Sequence, residues 1–401
     1  MLSFLAVSLG KSLRFLLRLV RRGGGSALPG LIASFLAPNL LSNALARLPE
    51  GVVLVSGSAG KSSTTNTLVK LLEAHGLRVF TNPSTANIKQ GLFSAVLKEG
   101  DLLGRIDYDI AVLEVDEGHG SALLRDLSPR LVVLTNVLSD QLDRFVDPDF
   151  VNEKLGTLAQ AAKKSIINAH DPNLRSLKLE NIAGAVCLAK ELEQSSDAPS
   201  YALRFDSPEQ IEKCSIISGT SPMVVDVFGT AIELRDPNLP HALNTSLALL
   251  ATYQLVKFDP QIAQGVVDAQ PAVFARNELT EIEGKRVNLR LVQNPTSFQL
   301  NVDELTQANT PLMLMAGSDI HDPSWLWTVD FTSLGRVDIV SGSNAYDLAL
   351  RLSYAGVEVG AVLTDLPEAK SSFLGLEGEL PTILFSADSM RRLRRLTGLA
   401  K

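Results

Sequence analysis

The stretch Val52-Val53-Leu54-Val55-Ser56-Gly57-Ser58-Ala59-Gly60-Lys61-Ser62-Ser63-Thr64-Thr65 decides the fold. Its first four residues form an apolar, β-branched run suited to a strand buried on both faces. Ser62 to His75 reads as a helix, so the glycines fall in the turn between strand and helix. The common phosphate-loop pattern needs a further glycine six residues before the lysine, where Val55 stands instead. The shorter form G-x-x-G-K-[ST] is present in the required strand-to-helix context. Gly57 and Gly60 let backbone N–H groups approach phosphate oxygens, and Lys61 supplies a positive charge near the β- and γ-phosphates. The Ser62 hydroxyl is a ligand for Mg²⁺, and the helix N-terminus adds its positive dipole end. The plain alternative is an ordinary glycine-rich turn, which has no need of Gly-Lys-Ser-Ser.

Working outward, Arg78-Val79-Phe80, Ile110 to Leu113, Leu131 to Leu134 and Ser165-Ile166-Ile167 are further apolar runs alternating with helical stretches. Continuous apolar strands separated by helices predict a parallel sheet covered on both faces. Ligands bind at the carboxyl ends of such strands. Glu114 emerges at one of these ends and is the candidate partner of Ser62 for Mg²⁺; the alternative is a solvated acidic loop. Residues 185–240 lack strong periodicity and read as a loop-rich insertion or small β element, and Leu243 to Leu255 as a helix. After about residue 275 a second α/β pattern begins, with strands at Val287 to Val292, Leu312 to Met315, Val337 to Val340 and Val359 to Leu363.

The chain has 401 residues, enough for two or three domains of roughly 100–200 residues each. Hydrophobic residues at 45% and charged residues at 20% support packed cores and exclude wholesale disorder. A net charge of -7 argues against a nucleic-acid partner. Cys187 and Cys214 are the only cysteines, too few for a disulfide framework or a cysteine-only zinc ribbon, and they suit a reducing, cytoplasmic setting. Met1 to Arg22 reads as an amphipathic helix broken by Lys11, Arg14, Arg18, Arg21 and Arg22, and ended by Gly23-Gly24-Gly25. Its uncharged start is short against the roughly 20 residues that a spanning helix needs. One reading packs it on the next domain; the sharper reading lays it on an anionic membrane face. Basic residues in Met390 to Lys401 read as a solvated helix face.

Further motifs follow the loop in order: Thr81-Asn82, Ala86 to Gly91, Leu113-Glu114-Val115-Asp116-Glu117, Thr135 to Arg144 with its Asp140-Gln141-Leu142-Asp143-Arg144, and Ile167-Asn168-Ala169-His170-Asp171-Pro172. This series resembles the central ATPase domain of the Mur ligases. The second half carries Arg276-Asn277-Glu278, Val292-Gln293-Asn294-Pro295, Asp322-Pro323-Ser324-Trp325-Leu326-Trp327 and Ala345 to Gly356, and is similar to the C-terminal domain of MurT-type ligase subunits. The resemblance implies an α/β fold: a Mur ligase-like P-loop central domain with a parallel sheet, plus a smaller C-terminal α/β domain. The domains expected are an N-terminal helical segment at 1–48, an ATP-binding domain at 49–273 and a C-terminal domain at 274–401.

Such subunits use ATP and Mg²⁺ to activate the α-carboxylate of D-glutamate in lipid II as an acyl phosphate. Ammonia from a GatD-like glutamine amidotransferase, the expected heterodimer partner, then yields D-isoglutamine. The resemblance implies a cytoplasmic protein, peripheral at the inner membrane face in the sharper reading of its first helix. By position, Gly57, Ser58, Gly60, Lys61, Ser62 and Ser63 would hold the phosphates, Ser62 and Glu114 the metal, Asn87 and Asp140 the γ-phosphate or substrate side, and Asn168 and Asp171 the base or ribose. Arg276 would reach the phosphates on closure. Asp322 would complete the partner's Cys–His pair, with Asp319 as runner-up and a helix-start cap as the alternative for Asp322. Several positions depart from the family pattern. The four-cysteine zinc ribbon is missing, so no zinc site is expected. Ala59, Gln293 and Thr328 replace usual polar residues, and His321 sits in an altered loop. A stand-alone Mur or folylpolyglutamate-type ligase and a non-catalytic nucleotide-binding scaffold are the competing readings.

Overall fold

A computed structural model describes residues 7–8, 10–12, 27–83, 87–124, 127–137, 148–190, 192, 214–219, 222–234, 239–270, 278–292, 295–305, 310–320 and 323–399. The chain divides into two compact units, Met1–Ala269 and Gln270–Lys401.

The first unit is built on a nine-stranded sheet. Its strands are β1 (Val52–Ser56), β2 (Val79–Thr81), β3 (Ile110–Glu114), β4 (Leu131–Leu134), β5 (Lys164–Asn168), β6 (Ile182–Leu188), β7 (Cys214–Ser218), β8 (Met223–Val227) and β9 (Thr230–Leu234). They lie in the order β2-β3-β1-β4-β5-β6-β7-β8-β9, parallel from β2 through β7. β1 carries apolar side chains on both faces because helices cover both. Val52 and Leu54 pack with Leu92, Phe93 and Leu155, while Val53 and Val55 pack with Leu68, Leu71 and Leu250. The connection leaving β1 runs to β2 on one side and the chain later crosses to β4 on the other. The carboxyl end of β1 is therefore the switch point where a crevice opens.

The described residues of the 185–240 region include a β element that extends the sheet. β7, β8 and β9 form an antiparallel meander. Phe228 and Gly229 turn β8 into β9 with φ of 49° and 89°, the two-residue turn whose twist matches a hairpin. Gln264, in the helix Pro260–Asp268, closes the outer edge: its amide accepts from Glu233 N at 2.9 Å and donates to Glu233 O at 3.0 Å. Cys187 on β6 and Cys214 on β7 are joined in a disulfide across neighbouring strands, with Cα atoms 5.8 Å apart. The cysteine count excludes a disulfide framework and suits a reducing setting, whereas the structure joins the two residues in one disulfide. The register of β6 against β7 could not be read from composition, and it makes the two residues neighbours.

Most of the N-terminal helix lies outside the described residues. The described part packs on the first unit, with Val7 buried and the Lys11 ammonium donating to Gly100 O. Among the described residues no helix is long and apolar enough to cross a membrane.

The second unit has six strands: β10 (Glu278–Ile282), β11 (Lys285–Leu291), β12 (Leu312–Met315), β13 (Arg336–Ser341), β14 (Glu358–Leu363) and β15 (Thr382–Phe385). Their order is β10-β11-β15-β12-β13-β14, parallel except for the β10–β11 hairpin, which turns at Glu283-Gly284. β15, the last strand in sequence, lies in the middle of the sheet between β11 and β12. Leu384 packs on one face with Leu314 and Phe298, and Phe385 on the other with Met313 and Phe373. Phe385 is fully buried, so Phe385→Ala should lower stability by about 3–5 kcal/mol. Urea unfolding checks this, and a loss under about 1 kcal/mol would be inconsistent with a central strand.

Candidate active site

The phosphate loop forms the turn Gly57–Gly60 between β1 and the helix Lys61–Ala74. Two close approaches impose the glycines. A Cβ on Gly57 would lie 2.2 Å from Thr135 Oγ1 and 2.8 Å from Asn136 O, and one on Gly60 would lie 2.2 Å from Asn244 Oδ1. Gly60 also sits at φ 82°, in the left-handed region. Asn136, just after β4, clasps the loop: its carbonyl accepts from Ser58 N at 2.9 Å, and its side chain accepts from Ala59 N at 2.8 Å and donates to Ala59 O at 3.1 Å. Thr135 Oγ1 donates to Ala59 O at 2.6 Å. The Ser58 and Ala59 amides are thus committed to β4. The first-turn N–H groups around Lys61, Ser62 and Ser63 have no partner within the helix and are available to an anion.

Glu114 ends β3 directly beside the loop, since Val55 on β1 is its register partner. Asn82, following β2, fixes it by accepting from Glu114 N and donating to Glu114 O, both at 2.9 Å. The buried Glu114 carboxylate is hydrogen-bonded to the side chains of Ser62 and Asn87. Burial pushes its pKa above the usual carboxylate range. The Ser62 bond, the Lys61 charge and the Asn87 bond oppose that shift, and the Glu117 charge adds to it. A buried carboxylate touching a hydroxyl beside a phosphate loop is a hard-oxygen donor pair, and it fits Mg²⁺.

The Lys61 ammonium donates to Gly57 O, to Ser58 O at 2.9 Å and to Glu117 Oε2 at 2.8 Å. The structure therefore brings Gly57, Ser58, Gly60, Lys61, Ser62, Ser63, Asn87 and Glu114 together at the head of β1 and β3.

Asn168 and Asp171 lie at the end of β5, but their side chains bind backbone. Asn168 donates to Thr135 O at 3.0 Å and accepts from His170 N at 3.0 Å. Asp171 accepts from Val137 N at 2.7 Å, Asn173 N at 2.8 Å and Leu174 N at 3.1 Å, so it caps the short helix Pro172–Arg175 and anchors the β4 loop. Asp140, Arg276 and Asp322 lie outside the described residues, as does His321. Asp319 is described: its Oδ1 accepts from Ser386 Oγ at 2.6 Å.

Sequence reasoning assigned no role to Glu117, Asn82, Asn136 or Asn244. The first three stand inside the quoted motifs, one to three residues beyond the end of a strand. Asn244 lies in the largely buried helix Leu239–Leu255, where its amide meets Thr64 Oγ1 at 3.4 Å.

Burial raises the Asp171 pKa to about 6, against the three backbone N–H bonds that lower it. The folded-state pKa lies above the unfolded value, so the folded protein binds the extra proton between about pH 4 and pH 6. The group's contribution to stability then rises on acidification through that window and falls as pH climbs through 6. Wild type should gain stability relative to Asp171→Asn between pH 7.5 and about pH 4.5 in denaturant titrations. A difference that is flat with pH would contradict this.

Two family models match the chain. Residues 55–204 match the Mur ligase middle domain, and residues 291–374 match the MurT ligase C-terminal domain. The subunit MurT of the glutamine-hydrolysing lipid II isoglutaminyl synthase of Staphylococcus aureus (strain COL) is 26% identical over 432 residues, which cover 97% of each chain. The corresponding subunit of Streptococcus pneumoniae (strain ATCC BAA-255 / R6) is 27% identical over 394 residues, 86% of each. In fold, the chain is like the MurF ligase of Thermotoga maritima solved in complex with ADP, with a TM-score of 0.64 at 17% identity, covering 92% of this chain and 83% of that one. The chain thus carries a phosphate loop within a stretch that matches the Mur ligase middle domain, followed by a stretch that matches the MurT ligase C-terminal domain, in the same order along the sequence.

Proposed function

We propose that the chain is the ligase subunit of a lipid II isoglutaminyl synthase, which amidates the α-carboxylate of D-glutamate in the stem peptide at the expense of ATP. The alignment with the staphylococcal subunit, nearly end to end on both chains, carries this reading. We assign residues 49–273 to nucleotide binding and 274–401 to the MurT-type domain.

A carboxylate is a poor electrophile, and phosphorylation makes it reactive. A carboxylate oxygen attacks the γ-phosphorus, the bond to the β–γ bridging oxygen breaks, and ADP leaves an acyl phosphate. Ammonia attacks the carbonyl carbon, the carbon–oxygen bond to phosphate breaks, and the phosphate carries off the surplus proton. This chemistry needs positioning and charge neutralisation rather than a protein nucleophile. The first-turn amides of the helix Lys61–Ala74 bind phosphate, and Lys61 meets the charge that develops between the β- and γ-phosphates. Ser62 and Glu114 would hold Mg²⁺, which neutralises phosphate charge when bound. Asn87, hydrogen-bonded to Glu114, serves the substrate side; the family resemblance gives the same role to Asp140 and a phosphate-binding role to Arg276. Asn168 and Asp171 serve the nucleotide by holding the loops after β4 and β5.

Ammonia comes from a GatD-like glutaminase bound to the second unit, with Asp322 completing its Cys–His pair. The helix Ala345–Tyr354 offers that partner a surface. Tyr346, Leu350 and Tyr354 recur at four-residue spacing, and the two tyrosines are 69% and 73% exposed. Trp327 joins them, its ring 5.2 Å from that of Tyr354, while Trp325 turns inward against Phe298. Exposed aromatic residues in one patch suit a protein interface. The complex acts in the cytoplasm, at the inner face of the membrane that presents lipid II.

The purified chain, mixed with a GatD-like glutaminase, glutamine, ATP and lipid II, should amidate lipid II, and Lys61→Ala should abolish turnover while still binding the partner. Ligation of a free amino acid, or unchanged turnover in Lys61→Ala, would refute the reading. Replacing Tyr346 and Tyr354 together by alanine should weaken partner binding at least about tenfold and leave ADP binding unchanged. Equal partner affinity would place the interface elsewhere.

A further inference from the structure

Among the described residues at the loop, Glu117 has a geometry that the phosphate chemistry does not account for. Its carboxylate is 1% exposed and pairs with Lys61, itself 11% exposed, at 2.8 Å. An ammonium has three N–H groups, and Lys61 directs its contacts to Gly57 O, Ser58 O and Glu117. To reach a nucleotide phosphate, it must give up at least one of them.

Glu117 cannot follow. Its turn is fixed on both sides: Asp116 N donates to Asn87 O at 3.0 Å, Gly120 N donates to Asp116 O at 2.8 Å, and Asp116 Oδ1 accepts from Gly118 N at 3.0 Å and lies 2.7 Å from His119 Nδ1. Glu114 is close enough for the two negative charges to repel. When Lys61 turns to the phosphates, two buried carboxylates face an incoming polyanion. A buried charge that loses its partner is costly. A nucleotide arriving with a divalent cation brings the missing positive charge, and a bare nucleotide does not.

We propose that Glu117 is a positioning residue that holds Lys61 as its counter-ion in the nucleotide-free site, so that nucleotide captures the lysine efficiently only when it brings a divalent cation. The proposal rests on the phosphate-loop reading. It assigns to Glu117 the coupling between metal and nucleotide, through Lys61.

Calorimetric titration of the full chain with ADP, once with Mg²⁺ and once with EDTA, tests it without relying on turnover. Wild type should bind ADP more weakly in EDTA. Glu117→Gln should tighten ADP binding in EDTA by about tenfold and shrink the ratio between the two conditions by the same factor. Glu117→Asp, which keeps the charge, should retain most of the wild-type ratio. This variant, with thermal melts, separates a lost carboxylate from a damaged fold. Weaker binding by Glu117→Gln in both conditions, or an unchanged ratio, would overturn the proposal alone. ADP binding that is indifferent to Lys61→Ala would overturn the phosphate-loop reading, and the proposal with it.

Discussion

The close approach of the Gly57–Gly60 backbone to the strand-end residues after β4 sets the geometry of everything at the head of the first sheet. Asn136 holds the loop through three hydrogen bonds, and there is no room for a side chain at Gly57 between the loop and Thr135. A loop held this tightly has a fixed shape before any ligand arrives, which reduces the ordering cost of binding one. The same clasp commits the Ser58 and Ala59 amides. Anion binding then falls to the first turn of the following helix, where the helix dipole and the free N–H groups coincide. Asn82 does for β3 what Asn136 does for β4: it locks the Glu114 backbone so that the carboxylate meets Ser62.

The charges at this point are coupled as a set. Glu114 and Glu117 are buried acids and Lys61 is the cation between them. None of the three would be stable there alone, because an unpaired ion in a low-dielectric setting costs several kcal/mol. A phosphate group cannot enter without rearranging that set. On the reading proposed above, this ties the binding of nucleotide, metal and lysine into one event, which would suit phosphoryl transfer.

What the sequence could tell depended on how local each feature was. β1, its glycine turn and the helix after it are contiguous, and their pattern is readable without the rest of the chain. So are the apolar runs of β3 and β4. β15 was overlooked because Thr382 to Phe385 is a run of four residues whose central place comes from a crossover, not from its own composition. The β7–β9 meander reads in sequence as a loop-rich insertion or small β element without its strands being placed, although Phe228-Gly229 and Glu283-Gly284 are the local marks of its hairpin and of the β10–β11 hairpin. Pairing of Cys187 with Cys214 depends on strand register, which composition does not carry. At the site, Lys61, Ser62 and Glu114 were legible because chemistry dictates their type and spacing. Glu117 and Asn244 were not, because each acts by packing against a residue distant in sequence.

The most direct measurement follows oxygen. Lipid II labelled with heavy oxygen in the D-glutamate α-carboxylate is turned over by the chain with its glutaminase partner, and the inorganic phosphate is analysed by mass spectrometry. Activation at the head of β1 through an acyl phosphate requires one labelled oxygen to leave in each phosphate formed. Unlabelled phosphate alongside amidated lipid II would contradict it.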